Sequence, residues 1–191
     1  MRLLLIGAPG AGKGTQAVRL AEHFGFTHIS SGDLLRMHIS EGSAIGRAAQ
    51  TYVARGDLVP DDLVIDMLRK PVVAASEQGG YVLDGFPRTV DQAEAAYKVA
   101  RELGVAVQVA AHLDVPREDL VRRLLARGRG AEDTPEVIAH RLDVYDERTL
   151  PMLDYYAKRE RLVLVDGSRP VDEVTLSLLA QLRKVQRLLE S

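Results

Sequence analysis

The segment Gly7-Ala8-Pro9-Gly10-Ala11-Gly12-Lys13-Gly14-Thr15 combines glycines, one lysine and a hydroxyl, directly after the apolar run RLLLIG and directly before a helical pattern. Glycines let backbone N–H groups converge on an anion with no side chain in the way. The helix that follows adds unpaired N–H groups and the positive end of its dipole. Lys13 supplies a compact cation for terminal phosphates. A strand, a glycine-rich loop and a helix in that order are the context a phosphate-binding loop requires. Gly10, Ala11, Gly12, Lys13, Gly14 and Thr15 are therefore candidate nucleotide contacts. The strict pattern places Ser or Thr directly after the lysine; here Gly14 intervenes and the hydroxyl is Thr15.

A second anion-binding candidate is Asp84-Gly85-Phe86-Pro87-Arg88, after the apolar run YVLD. An aspartate at the C-terminal end of a strand beside a phosphate loop suits Mg²⁺, held through water together with Thr15. A turn-forming Asp-Gly is the other account of this pair. Gly85 permits a tight turn and Pro87 stiffens the loop presenting Arg88, whose guanidinium can hold a phosphate with two parallel hydrogen bonds. Further cations follow at Arg117, Arg122, Arg123, Arg127 and Arg129, with Arg141 in the next helix. Arg123 and Arg127 are four apart and share a helical face. Arg117 and Arg122 read as a solvated surface. Phosphoryl transfer spreads charge over the oxygens of the moving group, and guanidinium groups stabilise it without a general base.

These residues need a scaffold, and the chain supplies one. Strands are expected at 2–7, 27–30, 80–84, 107–114 and 162–166. Helices are expected at 13–24, 34–40, 44–54, 61–77, 90–103, 117–126, 135–158 and 171–189. The alternation predicts an α/β fold with a doubly wound, five-stranded parallel sheet flanked by helices. The helices between Leu34 and Gly56 and the polar stretch RGRGAEDT at 127–134 fall outside the alternation and read as appendages. The 191 residues carry a formal charge of −2, so nothing global attracts nucleic acid or an anionic membrane. With no cysteine, disulfides and Cys-ligated zinc are excluded. The N-terminal apolar run is too short for a signal peptide, and no run is long enough to span a membrane. A cytoplasmic protein is expected, with a monomer as the default. The histidines His23, His28, His38, His112 and His140 show no ligand spacing. Tyr155 and Tyr156 are expected to pack on the core, and Met37, Met67 and Met152 to line apolar surfaces.

The spelling GxPGxGKGTQ resembles the phosphate loop of adenylate kinases and related nucleoside monophosphate kinases. The resemblance continues through SSGDLLR (30–36), GDLVPDDL (56–63), DGFPRTVDQA (84–93), the arginine segment 123–141 and VDGSRPVDEV (165–174). It implies a P-loop kinase domain with a core at 1–29, 60–126 and 137–191, a helical insertion for the acceptor nucleotide at 30–59, and a short lid at 127–136. It implies Mg²⁺-dependent, reversible transfer between ATP and AMP, giving ADP. ATP would be bound by the phosphate loop with Arg123, Arg127 and Arg169, although a plain strand-to-helix turn accounts for Arg169 equally well. AMP would be bound by Ser31, Arg36, Asp57, Leu58, Val59, Gly85, Phe86, Pro87, Arg88, Gln92, Arg129 and Arg141. Catalytic roles would fall to Lys13, Arg88, Arg127, Arg129 and Arg141. Some longer-lid relatives carry four zinc ligands; the short lid here, without cysteine, implies no structural zinc. The family usually has Thr at the position of Ser31, and the hydroxyl is kept. Pyrimidine monophosphate kinases tend to have Asn for Gln92 and Ala for Ser31. Gln92 can pair with adenine's amino group and a ring nitrogen together. Another monophosphate kinase, for CMP, UMP or dAMP, is the nearest rival. A nucleotide-binding switch is the rival of another class, though it has no use for DGFPR, Gln92 and the added arginines.

Overall fold

After Arg2 the run RLLLIG is apolar because both of its faces are covered. Leu3 and Leu5 enter one buried cluster, and Leu4 and Ile6 enter another on the opposite side of the sheet. Continuous apolar strands are the mark of a parallel sheet with helices on both faces. In the computed structural model, which describes residues 1–159 and 161–190, this run is β1 (Arg2–Gly7). It is followed by α1 (Lys13–Phe24), β2 (Thr27–Ser30), α2 (Ser31–Ser40), α3 (Ala44–Arg55), α4 (Asp61–Glu77), β3 (Tyr81–Asp84), α5 (Val90–Glu102) and β4 (Val109–Asp114). The chain continues through α6 (Arg117–Arg127), a 3₁₀ turn at Gly130–Asp133, α7 (Pro135–Val144), a π turn at Tyr145–Thr149, α8 (Met152–Arg159), β5 (Arg161–Asp166) and α9 (Val171–Glu190).

The sheet is parallel with order β2-β3-β1-β4-β5. One cluster joins its first face to α1, α6, α7 and α9, and the other joins the opposite face to α2, α3, α4, α5 and α8. Because every strand runs the same way, the loops after β1, β2, β3, β4 and β5 open on one edge. The chain leaves β1 toward β2 and β3 on one side and later returns to β4 on the other. A crevice for ligands forms at such a switch point. Leu5 pairs with Asp84, and Asp84 with Ser30, so the phosphate loop, Asp84 and the start of α2 sit side by side.

Several boundaries differ from expectation. β3 begins at Tyr81 and β4 at Val109, one and two residues late. α2 begins at Ser31, with Ser30 as its cap accepting the Asp33 N–H at 3.2 Å. The largest correction concerns 135–158, which is not one helix. Pro151 has no N–H, and its ring displaces the carbonyl of the preceding turn. The chain widens into the π turn, where Leu150 N–H bonds the Tyr145 carbonyl at 3.0 Å, before α8 starts at Met152. Met67, Met152, Tyr155 and Tyr156 are buried, whereas Met37 is exposed on α2. Among the described residues no helix is long and apolar enough to cross a membrane.

Candidate active site

The phosphate loop depends on two glycines with positive φ. Gly12, at +94°, is the left-handed cap from which α1 starts, and Gly10, at +84°, has no room for a side chain because a Cβ would stand 3.0 Å from Leu124 Cγ. Lys13, half-buried, folds back over the loop and donates from Nζ to the carbonyls of Gly7 at 2.8 Å and Ala8 at 3.0 Å. Burial pulls its ammonium down to about 8; Asp84 opposes that, while Arg88, Arg141 and Arg127 add to it. A lysine among arginines in a crevice is a site prepared for anionic charge.

Asp84 is buried at the end of β3. Its Oδ2 stands 3.8 Å from where a Gly14 Cβ would be and 4.0 Å from His28 Nε2, a buried nitrogen with no hydrogen-bond partner. A carboxylate against the loop and a nearby exposed Thr15 hydroxyl are hard oxygen donors and fit a water-bearing Mg²⁺.

The loop after β3 is held from several sides. Arg88 Nε donates to the Gly85 carbonyl at 2.7 Å, and the Thr149 hydroxyl donates to the Arg88 carbonyl at 2.7 Å. The Arg88 N–H donates to Gln92 Oε1 at 2.8 Å, and Gln92 Nε2 donates to Asp61 Oδ1 at 2.7 Å. Burial pulls the Arg88 guanidinium below its usual range; Asp84 and Glu132 oppose the shift and Arg36 adds to it. Gly85, at φ +88°, must stay small because a Cβ would meet Ser31 Oγ at 2.5 Å. That Ser31 hydroxyl is buried and has no partner. An orphan hydroxyl in a cavity wall is unusual and suits a ligand contact.

The 3₁₀ turn at Gly130–Asp133 packs against α3. Asp133 accepts from Arg127 Nε at 2.9 Å, from Arg127 Nη2 at 2.6 Å and from the Arg129 N–H at 2.9 Å. Arg141 Nη1 donates to the Glu132 carbonyl at 3.0 Å, and burial together with Arg88 pulls its guanidinium down to about 10. Arg36 reaches Glu132 at 3.6 Å, and His140 reaches Asp57 at 2.7 Å. Arg123 donates to the Gly167 carbonyl at 3.1 Å, joining α6 to the turn after β5. Arg169 is exposed on that turn, 3.6 Å from Asp166 and 3.5 Å from Glu173. Arg117 pairs with the exposed Asp143 and Asp146, and the exposed Arg122 with the half-buried Asp119.

Two cavities result. The larger, about 950 Å³, is lined by the phosphate loop, Asp84, Pro87, Arg123, Arg127, Arg129 and Arg169. The smaller, about 60 Å³, is lined by Ser31, Asp57, Val59, Phe86 and Gln92. Arg36, Leu58, Gly85, Arg88 and Arg141 line both. Every candidate named from the sequence thus lies in the wall of one cavity or the other.

A family model described as adenylate kinase matches residues 5–161. An adenylate kinase of Synechococcus sp. (strain WH7803) is 49% identical over 95% of this chain and 98% of its own length. One from Trichodesmium erythraeum (strain IMS101) is 40% identical over 97% of this chain and 99% of its own. Another, from Nostoc sp. (strain PCC 7120 / SAG 25.82 / UTEX 2576), is 44% identical over 95% and 98%. The chain belongs to the adenylate kinase family. It is accordingly a phosphotransferase, a nucleotide-binding kinase built on the P-loop fold.

The site of this adenylate kinase family member also contains residues that motif reasoning passed over. Asp133 faces Arg127 and Glu132 faces Arg36 and Arg141, and the acids that follow Arg127 and Arg129 in RGRGAED were a readable signal of it. Thr149 and Asp61 had no such signal, since Thr149 reaches the Arg88 carbonyl and Asp61 reaches Gln92 from distant segments.

Proposed function

We propose that the chain catalyses reversible, Mg²⁺-dependent transfer of a phosphoryl group from ATP to AMP, giving two ADP. One observation carries the reading: Lys13, Arg88, Arg127 and Arg141, from four separate segments, line the larger cavity, and two of them also line the smaller. The phosphate loop would hold the ATP phosphates, with Arg123 and Arg127 on the same nucleotide and Arg169 at the rim. The smaller cavity would take AMP, with Ser31, Arg36, the 57–59 backbone, Gly85–Arg88 and Gln92 as contacts. Cations shared between the two would stabilise the charge spread over the moving group. Mg²⁺, held through water by Asp84 and Thr15, supplies charge neutralisation on phosphate oxygens. The depressed ammonium of Lys13 and guanidinium of Arg141 support this, because an anion arriving among crowded cations restores their ordinary basicity.

In this reading residues 30–59 form the acceptor insertion, 127–136 the lid, and 1–29, 60–126 and 137–191 the core. Lid closure keeps out water, which would otherwise compete with AMP. The protein would act as a cytoplasmic monomer on small nucleotides, without nucleic acid or membrane; sedimentation tests the monomer. Turnover is measured with ATP and each nucleoside monophosphate in turn. AMP is expected to be used far better than CMP or UMP. Preference for a pyrimidine would reassign the acceptor, and ATP binding without turnover on any monophosphate would leave only a binding protein.

A further inference from the structure

Gln92 sits between two neighbours that each tolerate only one of its terminal atoms. Its Oε1 accepts the Arg88 backbone N–H at 2.8 Å, and its Nε2 donates to Asp61 Oδ1 at 2.7 Å. A backbone N–H cannot accept, and a carboxylate cannot donate. The amide orientation, which adaptable neighbours such as hydroxyls leave open, is therefore fixed here. Half a turn about its last torsion would set two donors face to face at Arg88 and two acceptors face to face at Asp61. Gln92 is only 3% exposed, so its own amide atoms have no water to turn to at either contact, although Asp61 is itself exposed at the start of α4. Its backbone is fixed as well: Thr89 caps α5 and accepts the Gln92 N–H at 3.1 Å.

A carboxamide has two acceptor and two donor positions. With one of each engaged, Oε1 keeps one acceptor position and Nε2 keeps one donor position, on a side chain that lines the smaller cavity. Adenine offers a 6-amino donor beside the N1 acceptor, which matches that order. A 6-oxopurine offers an O6 acceptor beside an N1–H donor, the reverse order, which only the flipped amide could meet. We infer that Asp61 determines acceptor specificity: by locking the Gln92 amide it admits 6-aminopurine monophosphates and rejects 6-oxopurine monophosphates. Asp61 lines neither cavity, so it is a positioning residue acting through Gln92. The inference rests on the reading of Gln92 as the contact to the acceptor base.

Steady-state kinetics with AMP and IMP, which differ at position 6 of the purine, test it in the wild type, Asp61→Asn, Asp61→Glu and Gln92→Ala. Asparagine keeps the size of Asp61 but can donate as well as accept, which removes one of the two constraints on the amide. In Asp61→Asn the AMP/IMP ratio of kcat/KM is expected to fall about tenfold, the factor one charge-assisted hydrogen bond is worth. Part of that fall comes from an absolute gain with IMP, which local damage cannot produce, while KM for ATP stays unchanged. Asp61→Glu restores the preference. Equal loss with both monophosphates in Asp61→Asn overturns the inference. If Gln92→Ala loses the preference while Asp61→Asn keeps it, Asp61 has no such role and Gln92 retains its own. If Gln92→Ala keeps the preference for AMP, the reading of Gln92 fails and the inference falls with it.

Discussion

Asp133 grips Arg127 through both carboxylate oxygens, Oδ1 to Nη2 at 2.6 Å and Oδ2 to Nε at 2.9 Å, with its side chain wholly shielded from solvent. The same Oδ2 accepts the Arg129 N–H, so one carboxylate closes the 3₁₀ turn of the lid and aims an arginine that lines the larger cavity. Burial works to raise the Asp133 carboxyl, but the hydrogen bonds from Arg127 and the Arg129 N–H, with the charges of Arg127 and Arg141, hold it below the usual carboxylate range. A carboxylate depressed by folding stabilises the protein fully above its unfolded value of about 4 and loses that contribution as pH falls below it. Asp133→Asn is therefore expected to lower stability by about 2–3 kcal/mol at pH 7, since Arg127 is partly open to solvent. The deficit should narrow as the pH drops below 4, and kcat should fall at least tenfold. Urea denaturation at pH 7 and pH 3 measures the first effect; an unchanged midpoint at pH 7 would strip the pair of its structural part.

Lys13 follows the opposite sign. Its ammonium is pulled from 10.5 to about 8, so in the ligand-free fold the charged form is disfavoured. That penalty is complete below pH 8, shrinks between 8 and 10.5 and is gone above. Lys13→Met should raise the ligand-free melting temperature at pH 7 by several degrees, for a gain of about 1–2 kcal/mol after solvent screening of a half-buried group. The gain should shrink by pH 9.5, while kcat drops at least about 100-fold. Calorimetry at the two pH values, beside an activity assay, checks both. A variant that melts lower than the wild type at pH 7 would mean the lysine supports the fold.

The scaffold was legible where sequence period and burial agree. RLLLIG, YVLD and RLVLVD are largely apolar runs flanked by turn signals, and their parallel sheet follows from the alternation with helices, whereas the strand order does not. The phosphate loop was legible because its chemistry is local: glycines, lysine and hydroxyl are contiguous. What could not be read depends on contacts between distant segments. The Thr149–Arg88 bond spans 61 positions and the Asp61–Gln92 bond 31, and neither leaves a trace in spacing. The break in 135–158 was legible in Pro151 but masked by an apolar period that runs past it on both sides. The orientation of Gln92 was out of reach for a simpler reason: a glutamine in a sequence offers both of its ends.

Gly56, at the end of α3, packs against α7. It caps α3 at φ +79°, and a Cβ there would stand 2.6 Å from Arg141 Cγ and 3.3 Å from Val137 Cγ1. Alanine would meet strained backbone, about 1–2 kcal/mol for the left-handed conformation, and would push aside a side chain that lines both cavities. Gly56→Ala should lower stability by that amount and reduce kcat more than KM for ATP, because Arg141 shifts while the phosphate loop does not. Full kcat in a correctly folded variant would show that Arg141 tolerates the displacement.

Thr149 ends the π turn, and its hydroxyl donates to the Arg88 carbonyl at 2.7 Å, while Tyr145 at the other end bonds His112 Nε2 on β4 at 2.8 Å. The π turn between α7 and α8 is thus pinned both to the central sheet and to the loop carrying Arg88. Thr149→Val keeps the shape and removes only the hydroxyl, leaving the Arg88 carbonyl without that donor at a buried position. Losing one such bond corresponds to about 1 kcal/mol, and the looser loop should raise KM for AMP about three- to tenfold with KM for ATP unchanged. Thr149→Ser, which restores the donor, should return KM for AMP toward the wild-type value. If Val raises both KM values together, the hydroxyl stabilises the fold at large and does not position the loop.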